Sequence, residues 1–178
     1  MAVPKSLSTC WAALGIVAAL LAGCGPSDQP ATPTTQSPQP GAGFRSADCN
    51  GVTDADITKA VGSAMFTKAV VNDAGCFWQE NTVLGTFGQG MGISTWWYRG
   101  SDLDTERDLE RSVGRDLTEV TVGTNQGFTA SDENACSVYV AKGADVVTWS
   151  IQTANPAILP DLCSITGRLA QLSQDRMN

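Results

Sequence analysis

The sequence predicts an α+β domain: one antiparallel β-sheet with about three helices packed on one face, stabilised by two disulfides. Three observations lead there. Stretches of helical periodicity and of β-branched and aromatic residues follow in the order helix, three strands, helix, four short strands, helix. Few connections have the dozen or more residues that a parallel crossover needs, so neighbouring strands should pair antiparallel. Four cysteines, Cys49, Cys76, Cys136 and Cys163, remain once an N-terminal leader and its cysteine are set aside. An even number in an exported domain reads as two bridges.

The elements follow in order. Thr53-Asp54-Ala55-Asp56 has the form of a capping box with Asp in place of Glu, and Ile57, Ala60, Val61 and Ala64 then recur at helical spacing. A short helix over Thr53–Ala64 is expected. Thr67–Val71 reads as a strand, Asn72-Asp73-Ala74-Gly75 as a turn, and Cys76–Gln79 as a second strand. Val83–Gly90 is a glycine-bearing loop or hairpin. Met91–Arg99 is rich in β-branched and aromatic residues and is expected as a central strand. Ser101-Asp102-Leu103-Asp104 opens a second helix with acids in its first turn, where they oppose the positive end of the dipole, and Gly114 suits its C-terminal stop. Asp116–Val122 and Gly127–Ala130 are strands around the turn Gly123-Thr124-Asn125. Cys136–Ala141 and Val146–Gln152 flank Lys142-Gly143-Ala144-Asp145, a hairpin signal. Pro160 starts a last helix to about Ser173. The repeated helix-plus-strands order hints at two similar halves, without a residue-level repeat.

Four cysteines allow three pairings. Cys49–Cys76 with Cys136–Cys163 is preferred, because each bridge ties a helix end to a nearby strand and closes a loop of about 27 residues, worth about 3 kcal/mol in the chain-entropy model. A zinc site is the sharper alternative. It lacks close Cys-x-x-Cys spacing, and the chain has no histidine.

The first segment decides location. An apolar run of about 13 residues, Cys10–Ala22, spans only about 20 Å as a helix, against a hydrocarbon core of about 30 Å. It fits the apolar region of a secretory signal, with Lys5 supplying the positive start. Leu21-Ala22-Gly23-Cys24 matches a lipobox, in which the thiol receives a diacylglyceryl group and cleavage leaves the cysteine first. Residues 1–23 are therefore expected to be removed and Cys24 acylated. The plainer alternative is a buried helix with a chance cysteine; run length, small residues and the following tract all favour the leader. Two acyl chains give stable anchoring where one is marginal, so the expected partner is the membrane itself, at its extracytoplasmic face. Residues 24–44 hold the modified cysteine and a stalk with five prolines and no large apolar residue before Phe44. Such a segment cannot bury enough surface to offset its ordering entropy. Residues 45–178 form the single domain, long enough for a real core.

The formal net charge is −7, and no Lys/Arg run appears. Nucleic acid and anionic headgroups are poor electrostatic partners for such a chain as a whole. Without histidine, Ser-His-Asp and Cys-His arrangements and histidine metal sites are excluded. Lys59, Lys68 and Lys142 sit in polar or turn contexts, which argues against a Ser–Lys dyad. Asp102 and Asp104 offer a carboxylate pair for glycoside chemistry, but helix-start acids explain them better. Asp132-Glu133-Asn134 lacks calcium-loop spacing, and Gly85-Thr86-Phe87-Gly88-Gln89-Gly90 has no lysine to complete a phosphate cradle. No metal, cofactor or catalytic residue is expected.

Cys76-Phe77-Trp78, Trp97-Tyr98-Arg99-Gly100 and Glu106-Arg107 occur in the order seen in one group of actinobacterial lipoproteins. Gly127-Phe128, Cys136 before a strand, Val147-Thr148-Trp149-Ser150 and Cys163 before a final helix continue the match. Over about Cys49–Leu172, and at the lipobox, the chain resembles the LprB-type lipoprotein family, whose domain has no assigned function. The resemblance implies an acylated protein facing the cell wall. It brings no catalytic residues with it.

One surface stands out. In Trp96-Trp97-Tyr98 adjacent side chains point to opposite faces. If Trp97 faces the core and helices cover one face only, Trp96 and Tyr98 lie on the open face, with Trp78 or Trp149 near. These four are the candidate contact surface for a sugar, lipid or protein; a covering loop is the plainer alternative. The expected function is a non-enzymatic, lipid-anchored envelope protein that binds a wall component, a lipid or a membrane-protein partner. A carboxylate hydrolase and an accessory subunit of a transport complex are the alternatives.

Overall fold

In the computed structural model residues 46–62, 66–72, 74–81 and 90–177 are described. The expected leader, Cys24, the expected stalk and all but the last residue of the Val83–Gly90 loop lie outside the described residues. A 3₁₀ turn, Ser46–Gly51, leads into α1 (Asp54–Val61), β1 (Phe66–Asn72), β2 (Gly75–Glu80) and β3 (Gly92–Tyr98). Then come α2 (Leu103–Ser112), β4 (Asp116–Val122), β5 (Asn125–Ser131), β6 (Ala135–Lys142), β7 (Asp145–Gln152) and α3 (Leu162–Met177).

The seven strands form one antiparallel sheet in the order β1-β2-β3-β7-β6-β5-β4. It consists of two meanders, β1–β3 and β4–β7, zipped together by the β3–β7 pair from Gly92↔Gln152 to Tyr98↔Val146. Both halves of the predicted helix-plus-strands order are thus present, sharing one sheet. The chain leaves β3 in the interior and re-enters at the far edge, β4. At about 4.8 Å per strand that is a shift of about 19 Å. Helix α2, of 10 residues and hence about 15 Å long, covers most of it.

This crossover decides which face each helix covers. One face carries Trp78, Ile93, Val138, Val140, Trp149 and Ile151 and packs with Ile57 and Val61 of α1 and Ile165, Leu169 and Ala170 of α3. The opposite face carries Phe128, Ala130, Tyr139 and Val146, with Tyr98, Leu103 and Leu117 against them. Leu103 opens α2, so α2 lies on that second face. The α+β class, the antiparallel sheet and the three helices agree with the sequence; the placement of all helices on one face does not. An αβ connection that must cross the sheet lies on whichever face is free, and α1 and α3 occupy the other.

Local signals set the element ends. Thr53 Oγ1 accepts from Asp56 N at 3.2 Å, while Asp56 Oδ2 accepts from Thr53 N at 2.9 Å, the reciprocal box that the sequence implies. Helix α1 stops at Val61, short of Ala64, because Gly62 takes φ +121° and its N–H returns to Thr58 O at 2.9 Å. Helix α3 starts two residues after Pro160: Asp161 is its cap, accepting from Ser164 N at 2.7 Å. It runs on to Met177, past the expected Ser173, and Ser173 and Gln174 remain buried in its last turns. The disulfides are Cys49–Cys76 and Cys136–Cys163, the preferred pairing of the three. They bind the 3₁₀ turn to β2, and β6 to the start of α3.

Candidate functional site

Strand alternation places the four aromatic residues of the expected surface. Trp97 is buried on the α1/α3 face, and its Nε1 donates to buried Asp145 Oδ2 at 2.9 Å. Trp96 and Tyr98 therefore point the other way, as alternation requires. Trp78 and Trp149 share the face of Trp97 and are 0% and 1% exposed. Their rings stack at 5.8 Å, and Trp78 Nε1 donates to Asp54 Oδ1 at 2.8 Å. They are core, and the surface expected to include them does not form. Tyr98 is half-buried beside α2, stacked on Tyr139 at 6.4 Å. Trp96, half-buried, lies over Gly75 of β2, where an added Cβ would fall 2.4 Å from the indole ring. The four tryptophan and tyrosine positions are thus divided among the core, the underside of α2 and the open part of the sheet.

The part of the second face that α2 leaves uncovered among the described residues holds a depression of about 560 Å³. Its floor is a polar row across three strands. Phe77 pairs with Ser94 and Ser94 with Ser150; the next row pairs Gln79 with Gly92 and Gly92 with Gln152. Asn134, Thr153 and Ala154 form the rim. Ser150 Oγ donates to Ser137 Oγ at 2.9 Å, which leaves the Ser150 lone pairs available as acceptors. Gln79 Nε2 donates to Met91 O at 3.0 Å, so its side-chain carbonyl is the group left over. Phe77 contributes an aromatic wall, close enough that a Cβ on Gly92 would meet its ring at 3.0 Å. Every lining side chain is uncharged at neutral pH. Such a groove hydrogen-bonds and stacks; it carries no group that ionises.

Ser137 connects the groove floor to an ionic network under α2. Arg115 Nη1 donates to Ser137 Oγ at 3.2 Å and to Glu110 Oε2 at 3.2 Å. Its Nε sits 3.2 Å from Asp132 Oδ2, an ion-pair distance without hydrogen-bond alignment. Tyr139 Oη donates to Glu110 Oε1. Burial, then the Glu110 hydrogen bond, pushes the Tyr139 phenol far up; burial, then Glu106 and Glu110, raises Tyr98. Ser101 Oγ donates to Glu106 Oε1 at 2.5 Å. On the outer edge Arg107 forks onto Glu119, at 3.0 and 2.8 Å, and lies 5.1 Å over the Phe128 ring. Glu119 is the main reason that its guanidinium pKa rises. These contacts hold a strongly polar helix onto an aromatic patch, and the carboxylates are occupied in doing so.

The remaining candidates have local tasks. Asp102 is the α2 cap: its Oδ1 accepts from Thr105 N at 2.8 Å, which lowers its pKa. Asp104 pairs with Arg107 at 2.6 Å. Asp132 accepts from Asn134 N at 2.8 Å and closes its own turn. Among the described residues no three of His, Cys, Asp and Glu converge as a metal site would require, and no helix is long and apolar enough to cross a membrane. The sequence offered Asn134 only in a weak calcium motif, and it did not mark Ser94, Ser150 and Gln152 as site residues. Their one signal was hydrophilic alternation in β3 and β7, which reads equally well as ordinary solvent exposure.

Fold and groove together define a disulfide-braced α+β domain on one antiparallel sheet, with a neutral polar groove on its half-open face. The chain belongs to the family described as protein of unknown function DUF3558, whose model matches residues 19–176. It is similar to "Putative lipoprotein LprB" of Mycobacterium tuberculosis strain H37Rv, 26% identical over 151 residues, covering 81% of this chain and 77% of that protein. It is also similar to the protein of that name from Mycobacterium leprae, 25% identical over 171 residues, covering 90% and 88%. No solved structure matches.

Proposed function

We propose that this chain is a lipid-anchored envelope protein, held at the outer face of the cytoplasmic membrane through Cys24, whose domain binds a neutral, hydroxyl-rich wall component. The lipobox Leu21–Cys24 supports the anchor, and the name of the mycobacterial relatives, "Putative lipoprotein LprB", agrees with it. The observation that carries the binding reading is the 560 Å³ groove lined by uncharged amides, hydroxyls and the Phe77 ring. Neutral hydrogen-bonding groups beside an aromatic wall suit a polyol, because none of them must be desolvated as an ion when the ligand enters. A glycoside hydrolase would need two carboxyl groups about 5–9 Å apart across its cleft, and the lining residues supply none.

Mass spectrometry of the protein gently extracted from its native membrane tests both parts. The expected species begins at Cys24, carries a diacylglyceryl group and retains a saccharide. Ala154→Trp, at an exposed rim position, fills the groove and should release that ligand while leaving acylation intact. Cys24→Ser should leave the precursor unacylated. A Cys24→Ser protein still diacylated at its N-terminus refutes the anchor. A bound lipid or a stoichiometric membrane protein, unaffected by Ala154→Trp, refutes the groove as the working site.

A further inference from the structure

We infer that the cleft between α1 and α3 binds the phosphate-bearing headgroups of anionic membrane lipids, turning this face of the domain towards the bilayer; the inference rests on the Cys24 anchor. The cleft, about 290 Å³, is lined by Lys59 and Ala60 of α1 and by Arg168, Leu172 and Arg176 of α3, beside Asp56. Three cations against one carboxylate is unusual in a chain whose net charge is −7. Elsewhere on the helices the basic groups are spent: Arg107 on Glu119, Arg111 on Asp108. In the cleft only Arg176 has an acid, Asp56, at 2.7 Å. Arg168 donates to Ala60 O at 2.6 Å and to Ser164 Oγ at 3.3 Å. Neutral acceptors orient a guanidinium without cancelling its charge, so it is fixed in place and still electropositive. Lys59 pairs with no acid among the described residues and is exposed.

Leu172 lies one helical turn from Arg168 and one from Arg176, so the floor between the two arginines is apolar. An anion with a hydrocarbon continuation satisfies both parts of such a cleft; a free inorganic anion satisfies only one. Position points the same way. Arg176 also donates to the carbonyl of Gly51, the end of the 3₁₀ turn through which the chain enters the domain from the stalk. That turn thus ends beside the cleft, and a domain anchored through Cys24 meets lipid at high effective concentration. The acidity of the whole chain argues against general attraction to anionic lipid; the cleft is a local exception of opposite sign.

The test is lysine labelling by an acetylating ester, mapped by mass spectrometry, on the acylated full-length mature protein in vesicles. Phosphatidylcholine vesicles are compared with vesicles containing one third phosphatidylglycerol. A basic residue near an anionic surface gains about fivefold in binding. Labelling of Lys59 should therefore slow by about fivefold or more in the anionic vesicles, with Lys68 and Lys142 unchanged. Arg168→Gln should remove most of that protection, and 0.5 M salt should do likewise. Equal Lys59 rates in the two vesicles overturn the inference. So does equal slowing of all three lysines, which is unselective attraction. So does full protection by inorganic phosphate on neutral vesicles, which makes a free anion the ligand. Flotation with the neutral vesicles reports the anchor separately: protein that does not float fails the anchor reading, while the Lys59 rate with anionic vesicles still decides the cleft.

Discussion

Replacing both Cys136 and Cys163 by alanine should lower the melting temperature by about 13 °C. The bridge joins residues 27 apart in sequence. In the chain-entropy model a loop of that length removes about 12 cal/mol/K from the unfolded ensemble, or about 3.6 kcal/mol at 25 °C. A domain of about 130 residues unfolds with about 0.27 kcal/mol/K of entropy, and the quotient is the expected shift. The assay is thermal unfolding of the mature protein followed by near-ultraviolet circular dichroism, where stacked Trp78 and Trp149 report core packing. Cys49–Cys76 closes a loop of the same separation, 27, so its double-alanine variant should lose a similar amount. A shift under about 4 °C for either pair, or a non-reducing peptide map joining Cys49 to Cys136 or Cys163, refutes the reasoning.

Two further perturbations read separate parts of the structure. The Arg176 hydrogen bond holds the Asp56 carboxyl at about 2, down from 3.8, helped by Thr53. Because the folded group ionises below its unfolded value, its stabilisation is complete above about pH 3.8 and is lost as the pH falls from there towards 2. Carbon-13 NMR titration of Asp56 should show this, with Arg176→Gln returning the midpoint towards 3.8; an unmoved midpoint contradicts the assignment. Gly127→Ala places a Cβ 2.3 Å from the carbonyl oxygen of Tyr139 on the neighbouring strand. That clash is with backbone, so urea unfolding should record a loss of about 2–3 kcal/mol, and a loss under 1 kcal/mol would contradict the β5–β6 register.

Of the two partners that hold Asp56, Thr53 was legible in the sequence, while Arg176, 120 residues away, was not. Thr53 and Asp56 lie three apart, and capping is a property of neighbouring residues, so the start of α1 was visible without the fold. The β4–β5 and β6–β7 hairpins were visible for the same reason: Gly123 and Gly143 take φ +63° in two-residue turns. The ends of α1 and α3 were less legible. Gly62 and Ala64 are both compatible with a helix end, and only the packed side of α3 explains why it continues to Met177.

The candidate site was poorly legible. Alternation sorted Trp96, Trp97 and Tyr98 into two sets, but both faces of this sheet are partly covered. Trp78 and Trp149 alternate in step with Trp97, so facing the same way as Trp97 meant burial for them too. Ser94 and Ser150 face each other only because β7 returns beside β3, a pairing of two residues 56 apart in sequence.

What the sequence by itself determined is the local chemistry: the lipobox cysteine as an acylation candidate, the caps, the tight turns, the α+β class and the even set of cysteines. Each depends on residues within a few positions of one another, or on counting. Tertiary structure alone decided that β7 inserts between β3 and β6, that α2 crosses the second face, and that a neutral groove and a cationic cleft result. Those outcomes depend on which apolar surfaces bury one another across the chain, and a strand's alternation defines two faces without saying what will cover either.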